Sequence, residues 1–168
     1  MKKQHARLMA AMVEYDRGDA ARIQHFVKVH DFAATIGNLE GVDEDTMFIL
    51  ETAAILHDIG IHKSESLYGD CNGKHQEELG PAEAIKLMQG VGGYTAEQMD
   101  RVCFLISRHH TYTGVDGIDW QILLEADFLV NSFEDKLSAD AIAHFEEKVF
   151  RTETGKRLLD LMTVKKDL

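Results

Sequence analysis

Proline occurs once in 168 residues, at Pro81, and cysteine twice, at Cys71 and Cys103. Runs of β-branched residues are scarce too, while Ala, Leu, Met, Glu and Lys are plentiful. So few helix breakers favour helix nearly throughout, and no strand is expected. Two cysteines without CxxC spacing argue against a disulfide framework or a thiolate zinc site. Positive charge is in short supply: 18 Lys and Arg face 29 Asp and Glu, for a net charge of −11. That argues against duplex nucleic acid as a partner, since such binding relies on clustered cations. A small phosphorylated ligand stays open, because a divalent cation can invert the local field. No apolar run reaches the roughly 18 residues of a membrane span, and Arg7 and Glu14 interrupt the apolar residues after the basic start. Neither a signal peptide nor a membrane partner is expected, and the expected address is a reducing cytoplasm.

What is present reads as seven or eight helices in a single domain covering residues 1–168, a length that can bury a core without a disulfide or structural metal. A first amphipathic stretch covers about residues 3–16. Asp19 is a plausible N-cap for a second helix reaching about Asn38, and Asp43 opens a third that carries the apolar run 49–56 into His57-Asp58. Residues 60–74, rich in Gly, Ser, Asp and Asn, read as a loop long enough to wall a substrate. A fourth helix covers about 75–89, with Pro81 suited to a first turn. Thr95 and Gln98 form a capping box for a fifth that reaches His109-His110. A sixth runs from about Asp119 to Asp135, a seventh starts at Ser138, and a short last one spans about 153–162.

Polar residues then stand where apolar ones belong. At about 100° per residue, Arg22, His25, Val29, Phe32, Ala33 and Ile36 share one stripe of the second helix. His30 projects about 140° away from His25 and is expected outside. The segment 122–130 is apolar almost all round, the mark of a buried helix, yet Asp127 lies within it. A buried carboxylate without a partner costs several kcal/mol or becomes neutral, so a cation is expected beside it. Glu125 points the opposite way and is the weaker candidate. On the fifth helix the stripe Met99, Val102, Cys103, Ile106 continues between His109 and His110, and periodicity does not choose between them. Singly, each of these admits a structural reading: a hydrogen-bonded core histidine, a salt-bridged aspartate, a frayed helix end. Together with His57-Asp58 they are imidazoles and carboxylates of the kind that bind divalent cations.

These residues, in this order, resemble the HD-domain superfamily of metal-dependent phosphohydrolases. The resemblance rests on His25 in Arg-Ile-Gln-His-Phe-Val-Lys-Val, the pair in Ala-Ala-Ile-Leu-His-Asp-Ile-Gly, and Asp127 in Glu-Ala-Asp-Phe-Leu-Val-Asn, and it is strongest over residues 20–135. It implies an all-α, single HD-type domain with a divalent metal held by His25, His57, Asp58 and Asp127. The metal's identity among Mn, Fe, Co, Ni, Mg and Zn is left open. It implies a second metal in many members, for which His109, with His110 beside it, fits one position. At the other, the family's spacing lands on Gln76, with His75 one residue early. The family's Lys or Glu three residues after the pair is here Ile61, followed by His62 and Lys63.

The chemistry implied is hydrolysis of a phosphate ester, a nucleotide being the expected substrate, by attack of metal-activated water. Asp58 would ligate the metal and orient or deprotonate that water. Arg22, one turn before His25, and Lys63 are candidates to contact the substrate phosphate. Tyr68 and Tyr112 are candidates to stack on a base, with packing the commoner role. Two other readings stand beside this one: a di-iron HD-type oxygenase, and a non-catalytic nucleotide-sensing module. A homodimer is left open.

Overall fold

A computed structural model describes residues 2–163, and helices within it begin at the side-chain acceptors Asp19, Asp43, Asn72, Thr95 and Ser138. Among the described residues lie nine helices and no strand. They are α1 (Lys3–Tyr15), α2 (Ala20–Leu39), α3 (Glu44–Leu56), α4 (Ile61–Tyr68), α5 (Gly73–Val91), α6 (Ala96–Ile106), α7 (Ile118–Glu134), α8 (Ala139–Val149) and α9 (Glu153–Thr163). Asp19 caps α2 by accepting from the Arg22 amide, and Asp43 caps α3 by accepting from the amides of Asp45 and Thr46. The Thr95–Gln98 capping box opens α6 as its sequence leads one to expect. Each cap satisfies amides that the helix itself leaves unpaired, worth about 1 kcal/mol apiece.

The helix beyond the expected seven or eight is α4, which lies in the segment read as a loop. Eight residues make a marginal helix in isolation, so its existence depends on packing. Ile61 and Ser64 turn inward, and Ser64 Oγ donates to the Asp70 carbonyl at 2.8 Å. Gly69 then ends the helix at φ 74°, a conformation in which a Cβ would be strained. Pro81 does not open a helix: α5 starts at Gly73, capped by Asn72, and Pro81 lies inside it.

The core centres on α7. Every residue from Asp119 to Val130 is buried, so this helix is enclosed by others all round. It packs on α2, α3, α6, α8 and α9, and α2 in turn lies between α7 and α3. Ile122, Leu123, Leu124 and Leu129 are at most 1% exposed, each contributing roughly 1.5–3 kcal/mol of apolar burial. The turn after α3 is seated against α5 by glycine. A Cβ on Gly60 would come within 2.8 Å of the Gly80 amide and 2.9 Å of the Gln76 carbonyl, backbone atoms that cannot yield. This close approach fixes where His57 and Asp58 stand. No described helix is long and apolar enough to cross a membrane.

Candidate metal centre

Three imidazoles meet between α2, the end of α3, the end of α6 and α7, and each is held by its Nδ1. His57, the C-cap of α3, lies past the last paired turn, where carbonyls three residues back are free. Its Nδ1 donates to the Ala54 carbonyl at 2.9 Å, and His109, just past α6, donates likewise to Ile106 at 2.7 Å. His25 sits inside α2, and its Nδ1 instead meets Glu134 Oε2 at 2.8 Å. A carbonyl or carboxylate only accepts, so in each neutral ring the proton sits on Nδ1 and Nε2 keeps its lone pair.

The Nε2 atoms converge with two carboxylates. His25 Nε2 lies 3.1 Å from His57 Nε2, 3.5 Å from Asp58 Oδ2 and 3.3 Å from Asp127 Oδ1. His57 Nε2 lies 3.6 Å from Asp58 Oδ2 and 3.5 Å from Asp127 Oδ1. Donors about 2.1 Å from a common ion stand about 3.0 Å apart at right angles and about 3.4 Å apart at the tetrahedral angle. The observed spacings run from within that range to about 0.2 Å beyond it; His25, His57 and Asp58 form a group that could hold a divalent cation, and Asp127 Oδ1 lies beside both imidazoles.

A second group, Asp58, His109 and His110, also has metal-binding spacing. Asp58 serves both groups with different atoms: Oδ2 faces His25 and His57, and Oδ1 lies 3.0 Å from His109 Nε2. His110 Nε2 meets Gln76 Oε1 at 3.0 Å, while the Gln76 amide nitrogen donates to the Cys71 carbonyl. Gln76 is thus the residue of α5 that faces the site. His75, the alternative candidate for a second metal, belongs to neither group. It bonds Asp70 at 2.8 Å and stacks on Tyr68 with ring centroids 4.0 Å apart.

Charge balances locally. Burial opposes ionisation of Asp58 and Asp127, but His57 and His109 beside the first, and His25 and His57 beside the second, hold both well below the usual carboxylate range. Burial draws the His25 pKa down, yet Asp127, Asp58 and Glu134 outweigh it and raise it to about 9. His110 goes the other way, to about 4, through burial and the neighbouring His109. Two anions, Asp127 buried and Asp58 half-buried, thus demand positive charge in their midst, which protons on imidazoles or a divalent cation can supply.

A cleft of about 510 Å³ opens beside the cluster, lined among others by Arg22, His25, Lys28, Asp58, Asn131 and Glu134. Arg22 is there, on the face that its spacing from His25 gives it, bonded to Glu65 and His62 at 3.0 Å each. Lys63 is exposed and does not line the cleft; Lys28 does. Tyr112 packs edge-on against Phe145. Glu125 is buried away from the cluster and accepts from the amides of Arg151 and Thr152, tying down the start of α9. His30 leaves the metal cluster as its angle requires, but it is buried, bonded to Glu51 at 3.0 Å. Sequence reasoning missed Glu134. A signal existed: seven residues after Asp127 is two turns less about 20°, so the two share a face of α7.

Fold and side-chain cluster together define an all-α domain with His/Asp groups that could hold a metal. The chain is similar in structure to a crystallised protein described as a predicted HD superfamily hydrolase from an uncultured Thermotogales bacterium. The two share 26% sequence identity with a TM-score of 0.65, over 92% of this chain and 82% of that one. This likeness supports the HD-domain superfamily and, at that level, a hydrolase. No family model matches the chain, and no curated protein matches its sequence.

Proposed function

We propose that the protein is a metal-dependent phosphohydrolase acting on a small phosphate ester, with nucleotides the first substrates to test. The observation that carries this reading is Asp58, whose two oxygens face two donor groups at the floor of a cleft that also holds Arg22. A divalent ion at this centre would polarise a phosphoryl oxygen and lower the pKa of a coordinated water. His25, His57, Asp58 and Asp127 would hold one ion; Asp58, His109 and His110 are the set for a second. Arg22 offers its guanidinium to the phosphate oxygens, a charge-assisted contact that also offsets the anionic floor of the cleft. In this reading Asp58 would orient the attacking water and take up its proton.

Phosphate release from mono-, di- and triphosphate esters, assayed with Mn, Co, Mg, Ni and Fe, tests the proposal. Hydrolysis with at least one metal, abolished in Asp58→Ala along with metal binding, is the expected outcome. Full activity in Asp58→Ala would sink it. Oxygen uptake without phosphate release would point to the oxygenase chemistry that His and carboxylate donors also suit. Nucleotide-induced stabilisation without turnover would point to a sensor.

A further inference from the structure

The three imidazoles are not held alike, and the difference singles out one residue. His57 and His109 stand past helix ends, where carbonyls three residues back lack an amide partner and take the Nδ1 proton. His25 lies inside α2, past its first turn, where the carbonyls of the preceding turn are engaged in the helix ladder. Its ring therefore needs an acceptor from elsewhere, and α7 provides it. Along one face of α7, Asp127 enters the cluster, Asn131 Nδ2 donates to Asp127 Oδ1 at 2.9 Å, and Glu134 Oε2 lies 2.8 Å from His25 Nδ1. The offsets of four and seven residues place all three in one row. The other oxygen of Glu134 pairs with the Lys28 ammonium, one turn of α2 beyond His25 at the same cleft.

We infer that Glu134 is a positioning residue for the metal centre. It fixes the His25 tautomer and ring orientation so that the Nε2 lone pair faces the cluster, and it tethers Lys28 at the cleft. This rests on the metal reading of the site proposed above. Glu134 needs no contact with ion or substrate to act: without an acceptor at Nδ1, the ring is free to turn or to place its proton on Nε2, and the site loses a donor. Glutamine at this position still offers an oxygen to Nδ1 but gives Lys28 no anionic partner. Alanine gives neither.

Calorimetric titration of the full chain with Mn²⁺ separates the cases. Glu134→Ala is expected to bind about 10- to 100-fold more weakly than wild type, Glu134→Gln to recover most of that loss, and Lys28→Ala to bind Mn²⁺ as wild type does. Long-range ¹H–¹⁵N spectra of the imidazoles, with Zn²⁺ as a diamagnetic ion, should show the Nδ1–H form of His25 in wild type and Glu134→Gln, and its loss in Glu134→Ala. These readouts report on one ring, so a variant that merely folds less well does not reproduce them. Wild-type affinity and an unchanged His25 tautomer in Glu134→Ala overturn the inference alone. A wild-type protein that binds no ion overturns the metal reading and the inference with it.

Discussion

Asp16 shows how a single side chain can make stability depend on pH without entering the metal cluster. It caps the C-terminus of α1, is 1% exposed, and lies 2.9 Å from His62 Nε2. Burial pushes its pKa up from 3.8 to about 6, against the opposing pull of His62 and Arg22. A carboxyl group with a raised folded pKa keeps, between those two values, a proton that the unfolded chain releases. Stability therefore falls as pH rises from about 4 to about 6 and is level above. Asp16→Asn removes that titration with a side chain of nearly the same shape. The variant is expected to be more stable than wild type at pH 8 by about 1–3 kcal/mol, with the gap closing near pH 4. Urea unfolding at pH 4.5, 6 and 8 measures it; a gap of equal size at all three values would show that Asp16 does not titrate in this range.

At the scale of elements, α1, α2 and α3 are joined by one shared carboxylate. Glu51 Oε2 accepts from His30 of α2 at 3.0 Å and from His5 of α1 at 3.1 Å, and both histidines are buried. His30→Ala is expected to cost about 1–3 kcal/mol by leaving Glu51 short of a donor, while metal affinity stays as in wild type. Denaturant unfolding beside a metal titration checks both halves. A loss of metal binding would mean that the two faces of α2 are coupled. His30 also shows what sequence can and cannot convey. Angular arithmetic separates it from His25, but it does not say that α2 is covered on a second side by α3. Asp127 was legible because a carboxylate inside a helix apolar all round demands a partner, and His57-Asp58 because it ends an apolar helix. The α4 helix was not, since eight residues with two serines carry little periodic signal and form through packing. Glu134 was not either: its partner His25 lies 109 residues away, and only the pairing of α2 with α7 brings them together. Sequence alone left Gln76 and His75 as alternatives on α5, because which of the two turns inward depends on how the helix starting at Gly73 packs.

For the whole molecule, the candidate metal donors lie where the main helices cross. His25 comes from α2, His57 and Asp58 from the end of α3, and Asp127 from α7, while α2 packs on both α3 and α7. An ion bound by all four would add a further tie between elements already joined by apolar packing and by the His30–Glu51 and His25–Glu134 pairs, and the unfolded chain cannot present that arrangement. The overall charge of −11 favours the approach of a cation in the same way. Binding to the folded state alone adds about 2.7 kcal/mol when free ion is about 100 times its Kd. In a domain of this length about 1 kcal/mol moves Tm by about 2–4 °C, so saturating Mn²⁺ is expected to raise Tm by roughly 5–10 °C. A chelator should reverse the rise completely, and scanning calorimetry of wild type beside Asp58→Ala separates site binding from ion atmosphere. The variant should show no comparable rise. If it gains as much as wild type, the ion is acting on the acidic surface, and the crossing point of α2, α3 and α7 is a polar core without a resident metal.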